Sequence, residues 1–263
     1  MKIEFEKKFE LNKDDISNPV ILIGWPGIAL VGKLAISSIK DSIEAQLLYD
    51  IKYYDFPPKS YVENGFLGIP TAKLYYKKRE SGDIFILTGD YQPQTPEGVF
   101  DFSQKFCEKM KELTDNKISM YISTGAMVSD KIIDKKIPDT YVCGTDEKIV
   151  DSFLEYDNTL IMENGVIAGA NGILPAWAGN NGFAPGICLL AETLPLQMIN
   201  VDPKASKALV TLLKDYFKLE MDYSELDKQI KDMEEMLEKF RAQTNYFPND
   251  VPHSKEHEDS YFR

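Results

Sequence analysis

One stretch of the chain has the spacing of a phosphate-binding loop. Gly27 to Lys33 fits the pattern G-x-x-x-x-G-K, and it follows the apolar run Val20 to Gly24 as such a loop follows a strand. The pattern fails at Leu34, where a serine or threonine hydroxyl would bind magnesium. The four residues between the glycines are also apolar, which favours a packed helix. The sequence therefore predicts no nucleotide hydrolysis, and it predicts a place at the helix surface for Lys33.

Carboxylates at the ends of predicted strands are a second source of candidate chemistry. Asp90, Asp146 and Glu192 each follow an apolar run, at the position where α/β folds place ligand sites. Asp146 can instead cap a helix that begins at Glu147. Glu192 can be anchored by backbone amides or by Thr193, and structural anchoring is the favoured interpretation. A small-molecule pocket at these strand ends would be lined by Gly24, Gly89, Asp90, Asn171 and Glu192.

Histidine is confined to the C-terminal segment. Both histidines, His253 and His257, lie near the end of the chain, so the rest of the sequence has no imidazole for general-base catalysis or metal binding. Their spacing suits a metal on a helix, but Pro248 and Pro252 make a helix unfavourable there, and solvated side chains are the favoured interpretation. The sequence predicts no catalytic residue, no metal site and no cofactor.

Charge and cysteine usage narrow the class of protein further. The 263 residues have a net charge of -12 and a pI near 4.8, which argues against nucleic acid and anionic membranes as partners. The chain contains no run of 18 apolar residues and no CxxC pair. Cys107, Cys143 and Cys188 are predicted to be reduced, buried thiols, and the location is predicted to be cytoplasmic.

The elements that would position these residues follow from short apolar runs. Strands are predicted at 19–24, 84–87, 118–122 and 187–191, and helices at 27–43, at 95–113 and from Asp202-Pro203 onward. Asp202 is predicted to cap the last of these helices, with Pro203 in its first turn. This alternation predicts a mainly parallel sheet in a three-layer α/β/α fold. Residues 47–77, with turns at Pro57-Pro58 and Asn64-Gly65, are predicted to form an antiparallel insertion. The first six residues are predicted to form an edge strand.

The C-terminal quarter begins with a heptad pattern. Apolar residues recur at spacings of three and four, as in a coiled-coil seam: Tyr223, Leu226, Ile230, Met233, Leu237 and Phe240. Such a seam must pack on another copy or on the body, so self-association is predicted. The predicted organisation is an α/β domain over 1–220, a coiled-coil helix over 221–243 and a mobile tail over 244–263.

Several motifs together resemble one protein family. They are Gly24-Trp25-Pro26-Gly27, Tyr91-Gln92-Pro93, the glycine-rich block 164–175 with Gly179, Gly182 and Gly186, and Leu190-Ala191-Glu192-Thr193. In this order they resemble the archaeal form of the proteasome assembly chaperone 2 family, over about Asn18 to Leu219. The resemblance implies a purine nucleoside phosphorylase-like fold without the catalytic residues. It also implies an ATP-independent chaperone that binds proteasome α subunits.

The last three residues resemble a second motif. Tyr261-Phe262-Arg263 is similar to the hydrophobic-tyrosine-any ending by which proteasome activators insert into the α ring, with Phe262 in the tyrosine place and lacking its hydroxyl. The resemblance implies that this end docks in the α ring. The alternative hypothesis is a small-molecule-binding protein or enzyme of nucleoside-phosphorylase-like fold that uses the strand-end pocket.

Overall fold

A computed structural model describes residues 1–129, 132, 135–194, 200–244 and 261–262, with only the backbone path given for 240–244 and 261–262. The helices are α1 Val31–Ser42, α2 Pro96–Thr114, α3 Glu147–Leu154, α4 Ala170–Asn180, α5 Pro203–Phe217 and α6 Ser224–Thr244. The strands are β1 Ile3–Lys7, β2 Val20–Gly24, β3 Gln46–Tyr53, β4 Tyr61–Glu63, β5 Phe66–Gly68, β6 Ala72–Lys77, β7 Ile84–Gly89, β8 Met120–Val128, β9 Thr140–Gly144, β10 Thr159–Ile161, β11 Val166–Ile167, β12 Gly186–Thr193 and β13 Tyr261–Phe262.

A nine-stranded mixed sheet forms the centre of the fold. Its strand order is β1-β3-β6-β7-β2-β8-β12-β9-β10. The four central strands β7, β2, β8 and β12 are parallel, while β6, β3 and β1 continue one side antiparallel and β9 begins the other side antiparallel to β12. The predicted parallel core and the antiparallel insertion at residues 47–77 are both confirmed. So is the predicted edge strand at the start of the chain.

Helices cover both faces of this sheet. Ile21 and Ile23 of β2 point into a core shared with α2 and α4. Val20 and Leu22 point into a second core shared with α1, α3, α5 and the start of α6. A strand buried on both faces needs apolar residues at every position, which is why β2 reads as a continuous apolar run. The predicted three-layer α/β/α architecture is confirmed.

Polar side chains cap the starts of three helices, and two of these caps, Asp146 and Asp202, were predicted. The Asp146 carboxylate accepts a hydrogen bond from Ile149 N (3.1 Å) at the start of α3, and Asp202 accepts from Ala205 N (2.9 Å) at the start of α5. Thr95 caps α2 by accepting from Gly98 N (3.0 Å). Each cap satisfies a backbone N–H group that has no partner within the helix. The structural interpretation of Asp146 is confirmed.

Two segments depart from the sequence prediction. Helix α1 begins at Val31 rather than Gly27, because Ala29 and Leu30 adopt φ angles of 45° and 50° that no α-helix contains. The glycine-rich block, for which no helix was predicted, includes α4. The connection into α4 is made at Gly169, whose φ of 76° favours glycine.

Candidate functional site

A network of hydrogen bonds joins three of the four segments that carry the sequence motifs. Gln92 Nε2 donates to the carbonyl of Pro26 (2.6 Å), and Gln92 Oε1 accepts from the backbone N of Ala170 (2.8 Å). Asn171 Oδ1 accepts from the backbone N of Trp25 (3.3 Å). The loops after β2 and β7 are therefore tied to the N-terminus of α4. We call these residues the Trp25 junction.

A proline inside α4 allows the Trp25 junction to make two further hydrogen bonds to the sheet. Pro175 has no N–H group, so the carbonyl of Asn171, four residues earlier, loses its helical partner. That carbonyl instead accepts hydrogen bonds from Ser123 Oγ (2.5 Å) on β8 and from Cys188 Sγ (3.3 Å) on β12. The proline thus frees an acceptor that anchors α4 to the centre of the sheet. Both donor side chains are buried, which fits an anchoring role.

The indole of Trp25 fills the space beside the junction. It is fully buried and packs edge-on against Phe102, with ring centroids 5.3 Å apart. A Cβ added at Gly89 would lie 2.5 Å from the ring, so the β7 end is in direct contact with it. Trp25 Nε1 and Asn171 Nδ2 are buried and have no acceptor among the described residues. Both are neutral hydrogen-bond donors.

The structure brings four of the five predicted pocket residues together, but around a side chain rather than a cavity. Gly24, Gly89 and Asn171 adjoin Trp25, and Asp90 accepts from Thr71 N (3.1 Å) beside them. Glu192 belongs to a separate cluster. Four surface cavities in the described part of the chain are lined by other residues. Within the same residues, no group of three metal-binding side chains occurs, and no helix has the length and apolarity to cross a membrane.

Glu192 is a buried structural anchor at the end of β12. Its carboxylate contacts Lys135 Nζ (2.6 Å) and accepts hydrogen bonds from Ser129 Oγ (3.0 Å) and Asp139 N (3.2 Å). Lys135 also pairs with the carboxylate of Asp139 (2.6 Å). A fully buried carboxylate requires such partners to offset its desolvation. The geometry agrees with the anchoring interpretation of this residue.

The segment with phosphate-loop spacing is packed against the protein rather than open. The carbonyl of Ala29 accepts from Asp202 N (2.9 Å) at the start of α5. A Cβ added at Gly32 would lie 2.1 Å from the carbonyl oxygen of Thr124, so α1 touches the backbone of β8 there. Burial lowers the pKa of Lys33, while the nearby Asp90 carboxylate opposes this shift. Leu34, in the magnesium-ligand position, is half-buried.

The heptad residues of α6 lie partly against the body of the same chain. Leu226 and Met233 are buried, and Tyr223 packs with Leu226 at the core that contains α5. Ile230 and Leu237 are half-buried. Phe240 lies within α6, but its side chain is outside the described residues. The body therefore covers much of the predicted seam, and self-association through this helix stays a prediction.

The chain end also touches the body. The backbones of Tyr261 and Phe262 form β13, which pairs in parallel with Val166 and Ile167 of β11. Arg263 and the predicted tail residues 245–260 lie outside the described residues. The role of this end in partner binding stays a prediction.

A feature that sequence reasoning missed is an exposed apolar hairpin. Strands β4 and β5 pair only with each other, and the side chains of Phe66 and Leu67 are 78% and 77% exposed. The sequence correctly predicted the turn at Asn64-Gly65, where both residues have positive φ. The adjacent apolar residues Phe66 and Leu67 do not belong to a strand or helix pattern that would bury one of them in a core, and this was the sequence signal that could have indicated their exposure.

The three cysteines differ in their expected reactivity. Cys143 is half-buried and lies opposite Cys188 on neighbouring strands. A hydrogen bond from Cys188 lowers the pKa of Cys143, whereas burial raises the pKa of Cys107 to about 12. Below that pH Cys107 stays a thiol, and the thiolate is the nucleophile. We expect iodoacetamide at pH 8 to alkylate Cys143 about 100-fold faster than Cys107.

Peptide mass mapping over time would measure both alkylation rates. Cys143→Ser is the matched control, and it should leave only slow modification of the remaining thiols. Equal rates at Cys143 and Cys107 in the native protein would contradict the assignment.

Comparison with known proteins gives the following likenesses. The PAC2 family profile matches residues 21–241. An uncharacterized protein of Methanocaldococcus jannaschii is 28% identical over 229 residues, which is 87% of this chain and 85% of that protein. Pyrococcus furiosus PbaB, described as an archaeal proteasome activator, superposes with a TM-score of 0.80 at 26% identity, covering 91% of this chain and 98% of PbaB. Pyrococcus furiosus PbaA, described as an archaeal homolog of proteasome-assembly chaperone, superposes with a TM-score of 0.71 at 21% identity, covering 92% of this chain and 93% of PbaA.

Proposed function

This chain belongs to the PAC2 family, and from that premise we propose that it is an ATP-independent chaperone or adaptor of the 20S proteasome. Its client would be the α subunits, either free or assembled into a ring. We also propose that it acts in the cytoplasm as a homo-oligomer. The observation that carries this proposal is the likeness to an archaeal proteasome activator over 98% of that protein's chain.

A binding role rather than an enzymatic one is supported by the interior of the fold. The edge of the sheet where α/β enzymes hold their ligands is filled by Trp25 and Gln92. The buried polar groups nearby serve as anchors for α4 and for the end of β12. An enzyme of this fold would need converging charges in an open pocket. This part of the molecule offers packed side chains instead.

We propose that the end of the chain contributes to α-ring binding. Tyr261 and Phe262 are two adjacent aromatic residues, and burying each ring in an apolar groove would contribute about 1.5 to 3 kcal/mol. Their pairing with β11 involves only two residues, and each net hydrogen bond is worth about 1 kcal/mol. Leaving β11 to enter a proteasome pocket would therefore cost little. Several ends on one oligomer would add their affinities by multivalency.

Removing Tyr261, Phe262 and Arg263 is expected to weaken α-ring binding at least about 10-fold, since a single buried ring accounts for that factor. The fold should be unchanged, because Tyr261 and Phe262 pair with a two-residue strand, β11, that is not part of the central sheet. Surface plasmon resonance on immobilised α rings would measure the affinity, with circular dichroism as the check on folding.

Phe262→Tyr and Phe262→Ala form a matched pair for the same experiment. The first restores the missing hydroxyl and should strengthen binding, whereas the second should weaken it. Equal affinity of the intact and truncated proteins would exclude a docking role for the chain end and leave the body as the binding surface.

A further inference from the structure

The β4–β5 hairpin presents apolar side chains that no described residue of the chain covers. Phe66, Leu67, Val62 and Ile69 are 78%, 77%, 68% and 56% exposed. The hairpin forms its own two-stranded sheet, separate from the main one. A lone two-stranded hairpin is only marginally stable in water, and contiguous exposed apolar surface marks an interaction site.

A concave surface lies at the base of the same hairpin. A cavity of about 420 Å³ is walled by the residues that lead into the hairpin and by those that leave it. Its apolar lining is Tyr53, Tyr54, Phe56, Pro57, Pro58, Ile69 and Pro70. Pro58 and Ile69, which flank the hairpin, belong to the cavity wall, whereas Phe66 and Leu67 at its tip do not line the cavity and are largely exposed. A projecting apolar element and an apolar hollow therefore lie side by side on one face.

We propose that the hairpin and this cavity form a two-fold self-association surface, in which Phe66 and Leu67 of one copy enter the cavity of a second copy. An interface with two-fold symmetry must be self-complementary, so that each copy supplies both the inserted group and the pocket that receives it. This face holds both halves. The proposal rests on the homo-oligomer proposed above, but it does not depend on binding to the proteasome.

The charges on this face favour a second copy as the occupant. The chain as a whole carries a net charge of -12, so two copies repel each other over most of their surfaces. The cavity wall contains Glu4, Lys52 and Lys59, and the hairpin adds Glu63. Beside the wall, Lys2 pairs with Glu4 and lies over the ring of Tyr54, and Glu6 pairs with Lys52. Three lysines and three glutamates give this face no net charge. Two such faces can meet without the repulsion that the remaining surface would impose, and opposite charges can pair across the axis.

Two aromatic rings add to the apolar character of the rim. Tyr54 is 68% exposed, and Tyr91, beneath the Lys59 ammonium, is 38% exposed. Tyrosine and phenylalanine are enriched at protein interfaces and carry a large share of their binding energy. The rim therefore has the composition of an interface rather than that of ordinary surface.

The test is the oligomeric mass of the full-length protein and of Phe66→Ser/Leu67→Ser. Both side chains are largely exposed, so the variant should fold, which circular dichroism would verify. We expect sedimentation equilibrium to show a dimer for the native protein, and a dissociation constant at least about 30-fold higher for the variant. Leu160→Ser/Ile161→Ser on β10 is the matched control, since these residues are 43% and 52% exposed, and its mass should equal that of the native protein.

Hydrogen exchange gives an independent readout. The amides of residues 61–68 should exchange more slowly as protein concentration rises, while those of β10 should show no such dependence. A single-copy mass for the native protein at all concentrations would overturn the proposal. An oligomer whose mass and dissociation constant are the same in the hairpin variant would also overturn it. If that variant instead loses affinity for another protein while its own mass is unchanged, the occupant is not a second copy.

Discussion

Gly32→Ala is expected to lower the free energy of unfolding by more than about 4 kcal/mol. Single substitutions have effects of this size only when they cause a severe steric clash, a large cavity or a comparable disruption. The new Cβ would lie 2.1 Å from the carbonyl oxygen of Thr124 and 2.6 Å from its carbonyl carbon. Both are backbone atoms of β8, which pairs on both sides with β2 and β12. Neither α1 nor the central strand can shift without disturbing the other, so the clash is not relieved by a side-chain movement.

The direction of the change in unfolding free energy distinguishes a steric clash at Gly32 from an effect of helix propensity. Alanine is favoured over glycine in a helix interior by about 1 kcal/mol, so helix propensity alone predicts that Gly32→Ala stabilises the protein. Ser37→Ala in the same helix is the matched control, since Ser37 is half-buried and α1 has room there. That variant should change the unfolding free energy by less than about 0.5 kcal/mol. Urea denaturation would measure both, and a stable Gly32→Ala protein would show that α1 does not approach β8 this closely.

Lys135→Met should lower the unfolding free energy by about 3 kcal/mol. It removes the ammonium group that faces the fully buried carboxylate of Glu192 at 2.6 Å. Breaking a buried pair from one side is costly because it leaves the other charge desolvated and without its counter-ion. The lysine side chain is 28% exposed, which places the expected cost at the lower end of the range for buried pairs.

A second substitution separates charge from packing at this position. Lys135→Met/Glu192→Gln removes the buried charge, while the amide oxygen of the glutamine can still accept from Asp139 N. The double variant should recover more than half of the lost stability. Asp227→Asn is the surface control, because it removes an exposed pair with Lys207 that should be worth less than about 1 kcal/mol. A Lys135→Met protein as stable as the native one would mean that Glu192 is held by its hydrogen bonds alone.

Local sequence signals predicted the central fold well. The runs at residues 20–23, 84–87 and 187–191 in β2, β7 and β12 are apolar at successive positions because both faces of these strands are buried, and this pattern is visible without tertiary information. Strand β8 is less regular, because Ser123 and Thr124 interrupt its apolar residues, and the predicted strand ended at Ile122. The caps at Asp146 and Asp202 are likewise local, since each side chain bonds a backbone N–H group three residues later. Such features depend on neighbours in sequence, which is why they were predicted correctly.

Other features depend on distant contacts that no local pattern records. Helix α4 was missed because glycines and Pro175 disfavour helices, whereas its stability comes from bonds to Ser123, Gln92 and the sheet. The heptad pattern of α6 suits packing on a copy and packing on α5 equally well, and burial of Leu226 shows contact with the same chain. The pocket at the strand ends was predicted because such edges often bind ligands. The bulk of Trp25 fills that position.

The close approach of Gly32 to β8 affects how the G-x-x-x-x-G-K spacing should be interpreted in other protein sequences. The second glycine of the G-x-x-x-x-G-K spacing is here required by the crossing of a helix over a strand, so the same spacing can be maintained by selection with no nucleotide involved. The spacing alone is therefore no evidence of nucleotide binding in chains of this kind. A search pattern that also demands a hydroxyl residue after the lysine and rejects four apolar residues between the glycines would not match this sequence.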